Sequence, residues 1–269
     1  MSDLIDELLQ SSAQNDILGN ITHRGAYGVL KYEIDITTSL RRVLHKDCGH
    51  YVTFKFKQNF LWSKRIQKYI AHLVSQSLQR YFEPFKLKNI LVVGLGNGNM
   101  VCDSLGKLVC QNLCIVDIKL SNALQIPHLS YILPSVEGVT GISSFELINS
   151  LCKSVKPDMV LMVDSLTATS LTRLGFTIQL SNAGIMPGGG VGNGHKVLNH
   201  NTLNVPIVSL GVPLLININD MSLQPRLDTE FYQHFTPKEI DYVIKECAKI
   251  IAMAINSCIY PPKLLDSFV

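Results

Sequence analysis

The sequence predicts an α/β fold: a single three-layer domain with a mostly parallel sheet flanked by helices, plus a small N-terminal β-containing segment. From residue 88 onward, apolar runs alternate with stretches of helical periodicity, which is the pattern of strands joined by helical crossovers. These apolar runs are continuous, as in strands that are buried on both faces of a sheet. The length of 269 residues suits one large domain of this kind.

The N-terminal part of the chain differs in character from the rest. Residues 1–23 are mixed and polar, and we expect a short helix followed by a loose lead. Residues 24–269 form the predicted single α/β domain, in which residues 24–57 contain period-two alternation. That alternation indicates half-buried antiparallel strands, which we interpret as a small β-rich appendage. Residues 61–82 have apolar side chains at helical spacing and polar side chains between them, which predicts an amphipathic helix.

The later elements follow the strand–helix alternation. We predict strands at residues 89–95, 113–118, 158–164, 175–181 and 205–211, and helices at 103–112, 143–154 and about 237–258. The last helix has a good start, because Thr236 can cap it, proline suits its first turn and Glu239 completes a capping box.

Composition limits the classes of function. A net charge of +3 is too small to indicate nucleic-acid binding by itself, so no direct nucleic-acid partner is expected. Seven cysteines without a C-x-x-C motif are typical of reduced thiols in a cytoplasmic protein. The acidic N-terminus is unlike a signal peptide, and the most apolar later stretch, 205–218, is shorter than the about 20 residues of a membrane span. We therefore expect a cytoplasmic protein without a membrane partner.

Two aspartates follow strand-like runs. Asp103 comes after the run and glycine-rich turn at 89–99, and Asp164 comes directly after five apolar residues. If the two strands are parallel neighbours, both carboxylates lie at the carboxyl edge of the sheet, where ligands bind. Two close carboxyl groups share a proton, which provides an acid and a base for water-activated hydrolysis. Spacing alone also allows Asp103 to cap a helix beginning near Ser104, and Asp164 to cap residues 165–173.

A glycine-rich loop at residues 187–194 has five glycines in eight residues. Such a loop can form an anion nest, an oxyanion donor or a slot for extended substrate backbone, but it can also be an ordinary surface loop. His195 could be a general acid or a metal ligand, although an exposed loop histidine is commoner. We expect this loop to meet the loops that follow Gly94 and Asp164 at one edge of the sheet.

A dinucleotide site is not favoured. Gly94, Gly96 and Gly98 suggest the G-x-G-x-x-G fingerprint, but position 99 is asparagine where the third glycine is needed. Asp117 stands about where a ribose-binding acid would lie, and we interpret it as a solvated strand end. Neither H-E-x-x-H nor G-x-S-x-G occurs in the chain.

Several segments resemble, in the same order, the spore germination protease family, whose members are endopeptidases that degrade small acid-soluble spore proteins. They include the G-L-G-N…D-S-L-G pattern around Asp103, K-P-D followed by D-S-L at Asp164, and T-I-Q-L-S before the glycine-rich loop. The matching segments lie at residues 93–97, 103–106, 138–142, 156–158, 164–166, 177–181, 184–188, 190–193, 202–213 and 236–241.

The resemblance implies an atypical aspartic endopeptidase with a fold like that of hydrogenase maturation proteases. It places the two functional aspartates on Asp103 and Asp164, and it implies that neither a metal nor another cofactor is required. It also implies a zymogen, with residues 1–23 as the possible propeptide region, and a homotetramer. The substrates that it implies are small acid-soluble spore proteins in the spore core. We assign substrate binding to two loops, at Asn97, Gly188, Gly189, Gly190, Gly192 and Asn193.

The chain also departs from the family pattern. The departures are Cys102, Lys107, Ser143, Thr169, Asn182 and Asn217, and the propeptide pattern R-T-D-L-A is not recognisable in residues 1–30. Two alternatives therefore stay open: a protease of the same fold with another target or a metal-assisted site, and a non-catalytic binding paralogue.

Overall fold

The computed structural model describes residues 22–44, 46–57, 62–168, 173–187, 196–217, 234–236 and 238–268. The strands within them are β1 (Thr22–Arg24), β2 (Leu30–Ile36), β3 (Gly49–Lys55), β4 (Asn89–Gly94), β5 (His128–Ile132), β6 (Met159–Ala168), β7 (Thr177–Ser181), β8 (Ile207–Asn217) and β9 (His234–Phe235). They form one sheet in the order β1-β2-β3-β7-β8-β6-β4-β5, and β9 pairs with β8. Apart from the short β1 and β9, these strands have five residues or more.

Helices cover both faces of this sheet, as predicted for a three-layer α/β domain. The helices in the described residues are α1 (Thr38–Leu44), α2 (Lys64–Phe82), α3 (Leu105–Gln111), α4 (Ile118–Leu124), α5 (Glu137–Thr140), α6 (Ser144–Val155), α7 (His200–Leu203), α8 (Ile240–Ile259) and α9 (Pro262–Leu265). Buried side chains of α2, α3 and α8 pack on one face, and those of α6 and α7 pack on the other.

The parallel part of the sheet is the part that the sequence predicts. The strands β5, β4, β6 and β8 are parallel neighbours, with Gly94 beside Val163 and Asp164 beside Gly211. The side chains from Ile90 to Val93 in β4 are at most 2% exposed. This burial explains why the strand has a continuous apolar sequence, since helices cover it on both sides.

The other half of the sheet is antiparallel, so the sheet is mixed where the sequence predicts a mostly parallel one. The pairs β1–β2, β2–β3, β3–β7 and β7–β8 are all antiparallel. Only residues 169–176 separate β6 from β7, and a parallel return needs a crossover of about a dozen residues or more. Because Tyr51 of β3 pairs with Ser181 of β7, the N-terminal β-rich segment continues the same sheet.

The predicted strand at 113–118 is wrong. The apolar residues Leu113 and Val116 are buried in the core, but the backbone there follows an irregular path between α3 and α4. The side chain of Asn256 in α8 binds this path, because its Oδ1 accepts from the Cys114 N–H at 3.0 Å and its Nδ2 donates to the Asn112 carbonyl at 3.2 Å. These bonds satisfy the backbone without a strand ladder, and the next strand is β5.

Two predicted strands are longer than expected. Strand β6 continues four residues beyond Asp164, and β8 continues through Pro213 to Asn217. A register shift between Leu166 and Thr167 lies opposite Pro213. Proline cannot donate a ladder hydrogen bond, and a bulge is one of the positions at which a sheet tolerates it.

The last helix begins later than predicted. Helix α8 starts at Ile240, and Glu239 precedes it without a side-chain capping bond among the described residues. The predicted capping box is therefore absent, because the helix begins beyond the residues that would form it. Helix α8 is instead joined to α2 by Glu246, which accepts from Gln67 Nε2 at 2.7 Å and from Lys249 Nζ at 2.6 Å. A helix long and apolar enough to cross a membrane is absent from the described residues.

Candidate active site

Asp164 lies within strand β6, and it is only 9% exposed. The alternate residues Val160, Met162 and Leu166 of this strand belong to the apolar cluster under α6. Because side chains alternate along a strand, Asp164 shares the face of these apolar residues. Its Oδ1 accepts a hydrogen bond from the N–H of Ser165 at 2.9 Å. The interpretation of Asp164 as a helix cap is wrong, since the strand runs on to Ala168.

Asp103 ends a short 3-10 turn, Val101–Asp103, in the connection between β4 and α3. Its Oδ2 accepts a hydrogen bond from the Asn97 N–H at 2.6 Å. The residue that precedes α3 is Ser104, and no side-chain capping bond is formed there within the described structure. Asp103 therefore closes the loop after β4 and does not cap the helix.

Glycines make room for this arrangement, which explains the G-L-G-N…D-S-L-G pattern. Gly96 has a φ of +96°, and a Cβ added to it would lie 2.7 Å from Asp103 Oδ1. Gly94 and Gly106 lie against each other, since a Cβ on Gly94 would be 2.6 Å from the Gly106 carbonyl oxygen. Helix α3 can thus approach the end of β4 closely and carry Asp103 to the sheet edge. The sequence pattern allows a dinucleotide fingerprint at Gly94, Gly96 and Gly98 to be set aside, but it does not predict this steric role of the glycines.

Backbone contacts bring the two aspartates to one place. The Leu95 N–H donates to the Val163 carbonyl at 2.8 Å, one residue before Asp164. The turn that carries Asp103 packs against β6 and β8. The negative charge of Asp103 also acts on the ionisation of Asp164. The structure therefore places both predicted aspartates in the same region at the carboxyl ends of β4 and β6.

Burial changes the ionisation of both carboxyl groups. The pKa of Asp164 is raised to about 7, chiefly by burial and secondly by the negative charge of Asp103. Burial also raises the pKa of Asp103, while the hydrogen bond from Asn97 opposes this shift. Because charged carboxylates are costly to bury beside each other, the pair holds a proton at a pH where isolated aspartates are ionised. Such a pair contains an acid and a base together.

The neighbours of Asp103 include one predicted substrate-binding residue, Asn97, and two departures from the family pattern, Cys102 and Lys107. Asn97 supports the loop through its own backbone N–H, and its Oδ1 accepts from the Asn99 N–H at 3.0 Å. Lys107 Nζ donates to the Gly98 carbonyl at 3.2 Å. Burial, and then the charge of Asp103, raises the pKa of the half-buried Cys102 thiol. The assignment of Asn97 to substrate binding stays a prediction.

The glycine-rich loop lies outside the described residues, and so do Gly188, Gly189, Gly190, Gly192, Asn193, His195 and Thr169. The expectation that this loop leaves the same sheet edge as the aspartate loops rests on a parallel β7, and that direction is wrong. The position of residues 188–195 themselves lies outside the described part of the chain. Strand β7 is antiparallel to β8, so its last residue, Ser181, lies toward the opposite edge. The chain then folds back, because Ile185 pairs with Leu198 and both pack in the cluster that contains Leu166.

Asp117 is not at a strand end. Its Oδ1 caps helix α4 by accepting from the N–H groups of Lys119 at 2.8 Å and Leu120 at 3.0 Å. An exposed capping residue of this kind is unlike a ribose-binding acid at the end of a strand. Among the described residues, no three histidine, cysteine, aspartate or glutamate side chains form a group that could hold a metal ion.

Comparison with known proteins identifies the class and then the family. The family model described as Germination protease matches residues 6–224, and its members are peptidases. A Germination protease of Clostridium perfringens (strain 13 / Type A) is 31% identical, over 84% of this chain and 82% of the relative. One from Caldanaerobacter subterraneus subsp. tengcongensis is 29% identical, over 97% and 94%. The chain is thus a protease, and it belongs to the germination protease family, which confirms the resemblance found in the sequence.

A solved structure is also similar. A [NiFe] hydrogenase maturation protease HycI from Thermococcus kodakarensis KOD1 is 18% identical, covering 66% of this chain and 98% of that chain, with a TM-score of 0.39.

Proposed function

We propose that this protein is an endopeptidase that cleaves small acid-soluble spore proteins during germination, in the cytoplasm of the spore core. In this proposal Asp103 and Asp164 activate the water that hydrolyses the peptide bond. The observation that carries the proposal is the pairing of the buried Asp164 with the half-buried Asp103, both with raised pKa values, in a member of the germination protease family.

The reaction begins with one proton on the pair. The ionised carboxylate takes a proton from water while the water oxygen bonds to the peptide carbonyl carbon. The neutral carboxyl gives its proton to the carbonyl oxygen, so a neutral tetrahedral diol forms. In the second step, the carboxyl that was protonated by water gives that proton to the amide nitrogen, and the C–N bond breaks. A diol hydroxyl returns a proton to the other carboxylate, which restores the pair.

The burial of the pair supports this sequence of proton transfers. General acid–base catalysis works best when the pKa lies near the operating pH, and the pKa of Asp164 is raised to about 7. The hydrogen bond from the Asn97 N–H holds Asp103 in place without adding a proton to the pair. Both transfers belong to the pair, because coupled groups titrate together.

We assign the binding of the substrate backbone to Asn97 and to the loop residues Gly188, Gly189, Gly190, Gly192 and Asn193. The support is positional: Ile185 and Leu198 flank this loop and pack beside Leu166, two residues beyond Asp164 in β6. Exposed backbone N–H groups of a glycine-rich loop can bind carbonyl oxygens of an extended peptide. Synthesis as a zymogen with a propeptide in residues 1–23, and assembly as a homotetramer, are further parts of the proposal.

The direct test mixes the purified protein with a small acid-soluble spore protein and follows fragments by mass spectrometry. We expect cleavage by the wild type and its loss in Asp103→Asn and Asp164→Asn. Asp117→Asn is the matched control, because asparagine also caps helices well, and it should cleave normally. Undiminished cleavage by either site variant would refute the mechanism, and loss of activity on chelation would point to a metal-assisted site.

A further inference from the structure

Five large apolar side chains are exposed on two connections at the carboxyl edge of the sheet. They are Met100 (52% exposed), Val101 (43%), Leu133 (38%), Val139 (53%) and Ile142 (54%), and we call them the apolar rim. Single exposed apolar side chains are ordinary, but several together mark a surface that binds something.

The first two members of the rim belong to the turn that carries Asp103. The Asp103 N–H donates to the Met100 carbonyl at 3.0 Å, and the Ser104 N–H donates to the Val101 carbonyl at 3.2 Å. Met100 and Val101 are therefore fixed relative to Asp103 by this 3-10 turn. Their exposed side chains add apolar surface to the turn that carries Asp103.

The other three members follow β5, the neighbour of β4. Val93 of β4 pairs with Ile132 of β5 in parallel, so the chain after Ile132 leaves the same edge as the loop that carries Asp103. The Leu133 side chain reaches over β4, since a Cβ on Gly94 would lie 2.7 Å from Leu133 Cδ2. Gly94 pairs with Val163, next to Asp164.

The connection that carries Val139 and Ile142 stays at this edge. Ser144, the first residue of α6, donates from its Oγ to the Ser135 carbonyl at 2.8 Å. This bond joins the two ends of the connection, so the segment between them, including α5, begins and ends near the carboxyl end of β5. The five residues of the rim thus lie on two connections that leave neighbouring strands at the sheet edge where Asp103 and Asp164 lie.

We propose that the apolar rim binds large apolar side chains of an extended peptide substrate next to the scissile bond, which rests on the proposed function. The occupant is a substrate segment, because the rim adjoins the carboxyl pair where a cleaved peptide has to lie. Side chains two positions apart in an extended peptide point the same way. The rim therefore selects substrates with leucine, isoleucine, methionine or phenylalanine at alternate positions on one side of the cleaved bond.

The test compares two peptides that span a mapped cleavage site, one with its apolar flanking residues and one with serine in their place. The rim variant is Val139→Ser/Ile142→Ser, and the matched control is Ile118→Ser on helix α4, where the side chain is also 54% exposed. We expect the rim variant to lower kcat/KM for the apolar peptide about tenfold or more, since apolar pockets discriminate between substrates by about this factor. It should leave kcat/KM for the serine peptide unchanged. The control should change neither.

Three results would overturn the proposal: equal loss on both peptides, no loss on either, or a change in assembly mass by light scattering with an unchanged preference. The last would make the rim a contact between copies of this chain. Failure of the proposed function is separate, because it is seen as full activity of Asp103→Asn. If the wild type cleaves neither peptide, the rim proposal is tested by binding instead. Fluorescence anisotropy then compares the affinity for a labelled peptide with leucine at two alternate positions with the affinity for its serine counterpart. The rim variant should lose affinity for the leucine peptide only, and an equal change for both peptides would overturn the proposal.

Discussion

Replacing Gly96 with alanine tests the steric basis of the site. Gly96 has a φ of +96°, and an added Cβ would lie 2.7 Å from Asp103 Oδ1 and would contact the Asp103 carbonyl oxygen even more closely. The backbone conformation alone costs a side chain about 1–2 kcal/mol. The clash adds about 1–3 kcal/mol, as overpacking does in well-packed regions. We therefore expect the free energy of unfolding to fall by about 2–5 kcal/mol.

Two other glycines separate these contributions. Gly28 has a φ of +72° but no described atom within 4 Å of an added Cβ, so Gly28→Ala introduces only the conformational cost. Gly138 has neither a positive φ nor a described neighbour within 4 Å. Gly138→Ala should leave stability unchanged or raise it by about 0.4–1 kcal/mol through the unfolded chain. The difference between Gly96→Ala and Gly28→Ala then measures the contact with Asp103.

Urea unfolding measures the three stabilities, and kcat/KM with a cleaved peptide measures the effect on the site. Gly96→Ala displaces Asp103, and a displacement of about 1 Å in a catalytic group can cost about 100-fold in rate. The other two alanine variants should keep wild-type kcat/KM. The reasoning is refuted if Gly96→Ala is as stable as Gly28→Ala and cleaves at the wild-type rate.

Two further predictions concern ionisation and packing. Because the folded pKa of Asp164 is raised to about 7 from 3.8, the folded state binds more protons than the unfolded state between these values. Wild-type stability should thus fall as pH rises through this window, relative to Asp164→Asn, in urea titrations at pH 4, 5.5 and 7.5; parallel curves would contradict this. Asn256→Ala removes both bonds to Cys114 and Asn112 and should lower the unfolding free energy by about 1–3 kcal/mol. Ser257→Ala is its control, and equal stabilities would show that these bonds contribute nothing.

The parallel half of the fold is predictable from the sequence, because strands that are buried on both faces consist of uninterrupted apolar residues. Strands β4 and β6 carry uninterrupted apolar runs, and their ends lead into Asp103 and contain Asp164. The direction of β7 cannot be predicted in this way, since an apolar strand has the same composition whether it runs parallel or antiparallel to its neighbour. The direction of the antiparallel strands therefore requires the structure.

The error at residues 113–118 has a different physical cause. Leu113 and Val116 are apolar because they pack into the core, which a strand and an irregular segment do equally well. What decides between them is Asn256, about 140 positions away in the sequence, which binds the backbone of the segment. Long-range bonds of this kind cannot be read from local periodicity.

The candidate site, too, could be predicted from the sequence only in part. The sequence brings Asp103 and Asp164 to attention, but local spacing equally allows both to be helix caps. The structure instead gives Asp103 a bond from Asn97 and places Asp164 inside a strand. The apolar rim escapes sequence analysis because Met100 and Ile142 differ from core residues only in their exposure.

The most direct test of the carboxyl pair is a double-mutant cycle. It measures kcat/KM with a small acid-soluble spore protein for the wild type, Asp103→Asn, Asp164→Asn and the double variant. Residues that act as one unit are non-additive, so each single substitution should lose about 1,000-fold or more in kcat/KM, and the double variant should be no slower than the slower single variant. A single variant that keeps the wild-type rate, or losses that multiply in the double variant, would contradict the account.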